Sequence, residues 1–378
     1  MGVIMNDRVP FIDLSRLAAR IGNDVLDDWR AILERQEFVG GPRVAELESV
    51  IATQLGVGNV VACSNGTDAL IVALQSMGIG PGSKVALPNL TFWASFEAVV
   101  QVRATPVLLD IDAEDLQLSS SALFAAAAHR DIGVDAVLLP HLYGWASGSL
   151  DLIRGFCQNR QIPLLEDGAQ AFGVRQYGLP LFTNVWMGTL SFYPAKVIGG
   201  AMDGGAVLCR SAEQCEGVRS LCNHGRAGHY LHGRVGWNSR MGGLQASYLR
   251  RVLSLADEIV SSRRTAAEWY RERLKDVAGV QIYGPPEGVT ENGYLNVLTV
   301  EDPVMVSAAL EERGIATGRT YPVPISEQPA TQTTDAIASG DLSVSKEFCK
   351  KVLNLPLFYG ITCEEQEKVA SALIEVIR

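Results

Sequence analysis

The chain has 378 residues, 47% hydrophobic and 20% charged, with a formal net charge of −10. That length supports a large core and two domains, in the composition range of an ordinary globular protein. The acidic balance, without a basic patch, argues against nucleic-acid binding, and no apolar run reaches the roughly 18 residues that indicate a membrane span.

The stretch from Met1 to Val9 lacks a basic-then-apolar signal pattern, so the cytoplasm is the expected location. Beyond it, short apolar runs alternate with helical patterns. Residues 60–63 read as a strand, and 68–77 as a helix with Ala69, Leu70, Val72 and Ala73 on its apolar stripe. Residues 85–88 read as a strand, 93–102 as a helix, and 106–109, 136–139 and 163–166 as further strands. Continuous apolar strands alternating with helices predict an α/β fold with a mainly parallel, buried central sheet. Residues 241–264 read as one long helix, with Leu244, Leu249, Val252, Leu253 and Leu255 at its apolar positions. A smaller α+β unit follows: 266–274 helical, strands at 280–283, 295–299 and around Thr317, helices at 305–313 and 364–377. The boundary is expected near residue 255, giving a large domain over 1–255 and a small carboxy-terminal domain over 256–378. Arg250-Arg251 and Arg263-Arg264 read as solvated helix faces. Seven cysteines, an odd count with no C-x-x-C pair, argue against a disulfide framework and a zinc site.

Three segments carry chemistry. Ser64-Asn65-Gly66-Thr67-Asp68 follows a strand and opens a helix. Gly66 allows close approach, and a helix amino terminus offers free N–H groups and positive dipole, so the turn suits a phosphate; as a plain helix start, Asn65 or Thr67 is an N-cap. The turn is neither a Walker A loop nor a G-x-G-x-x-G fingerprint. Glu166-Asp167-Gly168-Ala169-Gln170 stands at the carboxyl end of a strand, where open α/β sheets bind ligands. A carboxylate there can keep a pyridine nitrogen protonated, or simply cap a helix. With no matching histidine cluster, no metal is expected. In Ser191-Phe192-Tyr193-Pro194-Ala195-Lys196, the lysine lies in an apolar, glycine-rich context, ahead of Gly199-Gly200 and Asp203-Gly204-Gly205. Desolvation makes a lysine amine nucleophilic and able to form a Schiff base with an aldehyde. The nearby glycines are expected to give tight loops around a bulky ring.

These segments resemble the DegT/StrS family of pyridoxal 5'-phosphate (PLP)-dependent nucleotide-sugar aminotransferases, of the aspartate-aminotransferase fold (PLP-dependent transferase fold type I). The likeness covers nearly the whole chain. It runs through Gly40-Gly41-Pro42, residues 64–70, residues 88–95, His141-Leu142-Tyr143-Gly144, residues 166–170, Ser191-Phe192 with Lys196, and residues 236–241, in the family's order. The resemblance implies that Lys196 bonds the cofactor and then shuttles the proton. It implies that Asp167 pairs with the pyridine nitrogen, that Gln170 bonds the phenolic oxygen, and that Gly66, Thr67 and Ser191 hold the phosphate. Phe92 would stack on the ring, with Trp93 as the alternative, and core packing remains open for either. Asn238 would reach the cofactor phosphate of a neighbouring subunit, which implies a homodimer with shared active sites.

Among substrate contacts, His141 is expected in the pocket wall or bonded to backbone in its turn. Arg226 or Arg234, in the loop over 225–236, is expected at a diphosphate. His224, His229 and His232 in and beside that loop hint at metal, but a mobile substrate loop fits them better. Tyr321-Pro322 and Pro324 resemble the family's Y-P-x-P stretch, although Ile325-Ser326 replaces the histidine that often follows. Tyr193-Pro194 before Lys196 and Asp203 after it resemble members acting at carbon 3 of the sugar. The implied reaction moves an amino group from L-glutamate to a nucleotide-linked 3-keto-sugar on UDP or dTDP, with UDP-3-keto-N-acetylglucosamine as first candidate, for cell-surface glycan or lipopolysaccharide synthesis. The alternatives are a sugar dehydratase of the same fold, whose relatives replace the lysine with histidine, and a non-enzymatic regulator.

Overall fold

The computed structural model describes residues 8–378; the amino-terminal stretch read for a signal pattern lies, up to Asp7, outside them. One eight-stranded sheet has the spatial order Asn59–Cys63, Gly205–Cys209, Met187–Ser191, Leu164–Asp167, Ala136–Pro140, Lys84–Pro88, Thr105–Leu109, Ile337–Ala338. From Met187–Ser191 to Ile337–Ala338 every pairing is parallel. Gly205–Cys209 runs antiparallel to both neighbours. Strands covered on both faces need apolar side chains on both faces, which is why they read as unbroken runs; Ala136–Pro140 is buried at every position. Met187–Ser191 escapes that pattern because Gly188 and Thr189 interrupt it, whereas Gly205–Cys209 keeps an apolar run, Ala206 to Cys209, behind its glycine.

The expected long helix over 241–264 is two helices, Gly243–Leu253 and Ala256–Leu274. The Ser254 hydroxyl bonds back to the Arg251 carbonyl and the chain turns. The turn lets each helix bury a different face. The first packs on helices Ser15–Arg35 and Pro42–Leu55. The second gives Ala266, Ala267, Tyr270 and Leu274 to a separate core shared with helices Pro303–Glu311 and Cys363–Ile377. Strands Gln281–Ile282, Asn296–Thr299 and Val352–Leu355 form a small antiparallel sheet beside that core.

Two expectations fail here. The segment around Thr317 is not a strand; it makes two isolated bridges with different partners, Ile315 with Val9 and Gly318 with Asn354, so no continuous ladder forms. Arg263 is not on a solvated face. It is 6% exposed, and its guanidinium donates to the carbonyls of Gly293, Tyr294 and Leu357. Its neighbours in those clusters, Arg250, Arg251 and Arg264, do pair at the surface, with Glu46, Asp28 and Glu268.

The register places three strand termini side by side: Cys63 faces Gly205, and Gly205 faces Ser191. A Cβ on Gly205 would lie 2.2 Å from the Asn65 carbonyl oxygen and 2.9 Å from the Gly66 nitrogen. Backbone atoms held by a sheet cannot yield cheaply. Gly205→Ala is therefore expected to destabilise the protein by about 1–3 kcal/mol, read as a lower midpoint of urea unfolding.

Candidate active site

Helix Gly66–Ser76 is capped by Asn65, whose Oδ1 accepts the Asp68 N–H at 2.8 Å. Capping satisfies one amide, while the helix start still presents the Gly66 and Thr67 N–H groups that no helical carbonyl can reach. Both residues line a cavity of about 650 Å³ at the carboxyl edge of the sheet. Gly66 rests on Ser191: a Cβ there would be 2.8 Å from the Ser191 Cβ and 3.1 Å from its Oγ. The turn and the serine expected to share a phosphate are thus in contact, although they are more than 100 residues apart in sequence.

Strand Leu164–Asp167 ends in two acids with different surroundings. Glu166 is fully buried, held by Arg154 through Nε at 2.9 Å and Nη2 at 2.8 Å, and by His141 Nε2 at 2.9 Å. Burial pushes its carboxyl up, but Arg154 and His141 outweigh that and leave it below its ordinary value. Asp167 accepts from the Ser95 hydroxyl at 2.9 Å and the Ala169 N–H at 3.0 Å, and it lines the cavity. Gln170 Oε1 takes the Tyr143 N–H at 2.6 Å, which fixes the amide, and Nε2 donates to the Tyr321 hydroxyl at 2.9 Å. Burial, with Tyr294 beside it, pushes the Tyr321 phenol up.

Lys196 follows the turn after Met187–Ser191 and reaches the same cavity. Its Nζ donates to the Tyr294 hydroxyl at 3.2 Å and lies 4.9 Å from that ring's centre. Gly199 and Gly200, expected to wrap a ring, serve a different end. A Cβ on Gly199 would lie 2.1 Å from the Pro194 carbonyl oxygen, and one on Gly200 would lie 1.9 Å from Gln245 Nε2. Neither lines the cavity; they let the loop fold onto itself and onto Gln245, which also holds the Ala201 and Met202 amides.

Of the residues singled out in sequence, Gly66, Thr67, Phe92, His141, Asp167, Gln170, Ser191, Lys196 and Tyr321 line this one cavity. His141 bonds Glu166 through its side chain, not backbone, and its Nδ1 is buried without a partner. Trp93 does not join them; its ring packs on Phe96, centroids 4.9 Å apart. Arg226, Arg234 and Asn238 are exposed and outside the cavity of their own chain. Ser95 and Tyr294 carry no motif role in sequence, although Ser95 closes the segment 88–95.

Fold and site together define a PLP-dependent aminotransferase. A model of the DegT/DnrJ/EryC1/StrS aminotransferase family matches residues 19–374, and the chain belongs to that family. The chain is 32% identical over 368 residues to UDP-N-acetyl-3-dehydro-α-D-glucosamine 3-aminotransferase of Acidithiobacillus ferrooxidans, covering 97% of this chain and 98% of that protein. It superimposes on DesV of S. venezuelae, solved in complex with a ketimine intermediate, with a TM-score of 0.93 at 30% identity, covering 98% and 99% of the two chains. NtdA of Bacillus subtilis, solved with bound cofactor PMP, matches with a TM-score of 0.88 at 26% identity, over 100% of this chain and 86% of that one.

Two outcomes follow from the Glu166 cluster. Arg154→Met leaves a buried carboxylate with one partner and is expected to cost about 3–5 kcal/mol at neutral pH, measured by urea unfolding. The folded protein holds Glu166 below its unfolded pKa near 4.5, so the unfolded chain binds the extra proton. That contribution is complete above pH 4.5 and is lost as pH falls through the lower folded value. Glu166→Gln should therefore flatten the fall in stability on the acid side.

Proposed function

We propose that the protein transfers an amino group from L-glutamate to a nucleotide-linked 3-keto-sugar, with UDP-3-keto-N-acetylglucosamine as first candidate. The observation that carries the transfer is the convergence of Lys196, Asp167, Ser191 and the Gly66-Thr67 turn on one cavity. The relative from A. ferrooxidans, named for a 3-dehydro UDP-sugar, supports the acceptor and its carbon.

The residues fit PLP on two counts. The contact of Gly66 with Ser191 makes a cradle that any Cβ would fill, beside free N–H groups suited to a phosphate. Asp167 is held by neutral donors alone, so its charge is available to a protonated ring nitrogen. Bound there, PLP supplies an electron sink for the carbon that loses its proton. Phe92, half-exposed at the cavity wall, offers a face for the ring. Gln170, its amide oriented by Tyr143, presents a donor toward the phenolic oxygen. Lys196 carries the amine that bonds the cofactor and afterwards moves the proton.

A homodimer completes the site in this reading. The cavity lining contains Asp68, Glu97, Asp167 and Asp203, and among the described residues Lys196 is its one lysine or arginine, with His141 already bonded to Glu166. Glutamate and a nucleotide diphosphate are anions and require cations. Arg226, Arg234 and Asn238 lie on or beside an exposed apolar hairpin, with Tyr230 84% and Val235 93% exposed, a surface suited to a second copy. Asn238 of that copy would meet the phosphate, and its arginines the diphosphate. All seven cysteines are unpaired, which supports a reducing, cytoplasmic setting. Lipopolysaccharide or another surface glycan is the proposed destination of the amino sugar.

Purified holoprotein should show a visible cofactor band that glutamate bleaches. Lys196→Ala should abolish that cycle; a variant that still converts cofactor with glutamate would sink the assignment. UDP- and dTDP-linked 3-amino sugars run in reverse should convert PLP to its amine form, and 4-amino sugars should not. Asn238→Ala should lose PLP faster on dialysis, and equal retention would count against a cross-subunit contact.

A further inference from the structure

Tyr294, the side chain that touches Lys196, sits on a segment held from three sides. Asn292 is fully buried; its Nδ2 donates to the carbonyls of Gln170 at 2.8 Å and Phe172 at 2.9 Å, and its Oδ1 accepts the Tyr294 N–H at 2.9 Å. Gly293, at φ +66, lies so close to the Arg263 backbone that a Cβ would come within 2.5 Å of it. Arg263 then donates to the carbonyls of Gly293 at 2.9 Å, Tyr294 at 2.8 Å and Leu357 at 3.1 Å. No ion pair among the described residues includes it, and burial pushes its guanidinium down to about 10. A buried cation spent on three carbonyls is expensive, and what it secures here is the position of Tyr294.

We propose that Tyr294 is a catalytic residue of the amino transfer: its hydroxyl holds the Lys196 amine whenever that amine is free of the cofactor. This rests on the reading of Lys196 as the residue that moves the proton. In that step the C–H bond of the donor's α-carbon breaks, its electron pair stays on the carbon and is drawn into the bound cofactor, and the proton forms a new N–H bond on Nζ. The ammonium then returns that proton to a second carbon and becomes neutral again. Tyr294 keeps its own proton and accepts an N–H throughout, so nothing is consumed.

Two features suit it to this task. A freed lysine has four rotatable bonds, and a misplacement of about 1 Å can cost a hundredfold in rate. The hydroxyl at 3.2 Å removes that freedom. The ring, 4.9 Å from Nζ, attracts a cation more than a neutral amine. It therefore favours the ammonium that exists only between the two proton movements, which is the kind of interaction that raises a rate.

The test uses PLP-loaded holoprotein, wild type against Tyr294→Phe and Tyr294→Leu. Decay of the visible cofactor band is followed in stopped flow with L-glutamate and with glutamate deuterated at the α-carbon. Cofactor retention and thermal midpoint are measured alongside. Tyr294→Phe keeps the ring and is expected to slow the decay about tenfold or more and to raise the deuterium effect. Tyr294→Leu loses ring and hydroxyl and is expected to be slower still. Decay and deuterium effect within twofold of wild type in both variants would overturn the proposal. So would losses confined to retention and thermal midpoint with the deuterium effect unmoved, since that is a structural role. A wild-type band that glutamate fails to bleach overturns the aminotransferase reading itself, and this proposal with it.

Discussion

Gly66 rests on Ser191 with no room for a side chain between them, and the site is arranged around that contact. It brings the positive end of helix Gly66–Ser76 to the strand that leads to Lys196. A phosphate bound there meets backbone N–H groups, a dipole and a hydroxyl at one point. Gly205 stands behind the same contact, and the pairing of Cys63 with Gly205 and of Gly205 with Ser191 holds all three in register. A slip of one residue would turn every side chain of those strands to the opposite face. The sheet therefore fixes where the lysine loop begins, and its own packing at Gly199 and the bonds of Gln245 to Ala201 and Met202 fix the rest.

The two adjacent acids illustrate how one strand end serves structure and chemistry together. Successive residues of a strand face opposite sides. Glu166 turns to Arg154 and His141 and is neutralised where it lies. Asp167 turns to Ser95 and the Ala169 amide, which stabilise a carboxylate without cancelling its charge. Among the described residues it enters no ion pair, so its charge is left for a ligand. The partnerless Nδ1 of His141 follows from the same arrangement: Glu166 claims Nε2, and the turn closed by Gln117 and Gln170 around Leu142 and Tyr143 leaves no donor for the other nitrogen.

The parts of the site legible in sequence are those where local rules and chemistry coincide. A strand end followed by Asn-Gly-Thr, an acidic pair at another strand end, and a lysine in an apolar loop each stand out over a few residues. The parts that escaped are held by partners distant in sequence. Arg263 looked like half of a surface pair because Arg264 beside it is one, yet burial separates the two. Tyr294 is 98 residues from Lys196, and nothing between them marks the contact. Gly199 and Gly200 were legible as tight packing but not as packing against Gln245. The break at Ser254 is hidden because apolar spacing continues across it: Ala256 and Ile259 still pack in the core of Leu249, Val252 and Leu253, and only the later turns of the second helix, from Ala266 on, enter the other core.

Charge ties these features to the proposed dimer. The turn at Gly66-Thr67 presents neutral donors, and apart from Lys196 the charged side chains of the cavity wall are acidic. An acidic wall disfavours a dicarboxylic amino acid and a nucleotide diphosphate alike, and in the proposed dimer the cations come from the second copy. The hairpin that carries Arg226 also exposes Tyr230 and Leu231. Large apolar side chains on a projecting hairpin gain free energy only when something covers them. The segment 226–234 thus holds both what the cavity lacks, a pair of guanidinium groups, and an apolar surface that would bring them to a second copy's cavity. In this reading the acidic lining and the apolar hairpin are two sides of one constraint: the monomer is built with a charge deficit that association corrects.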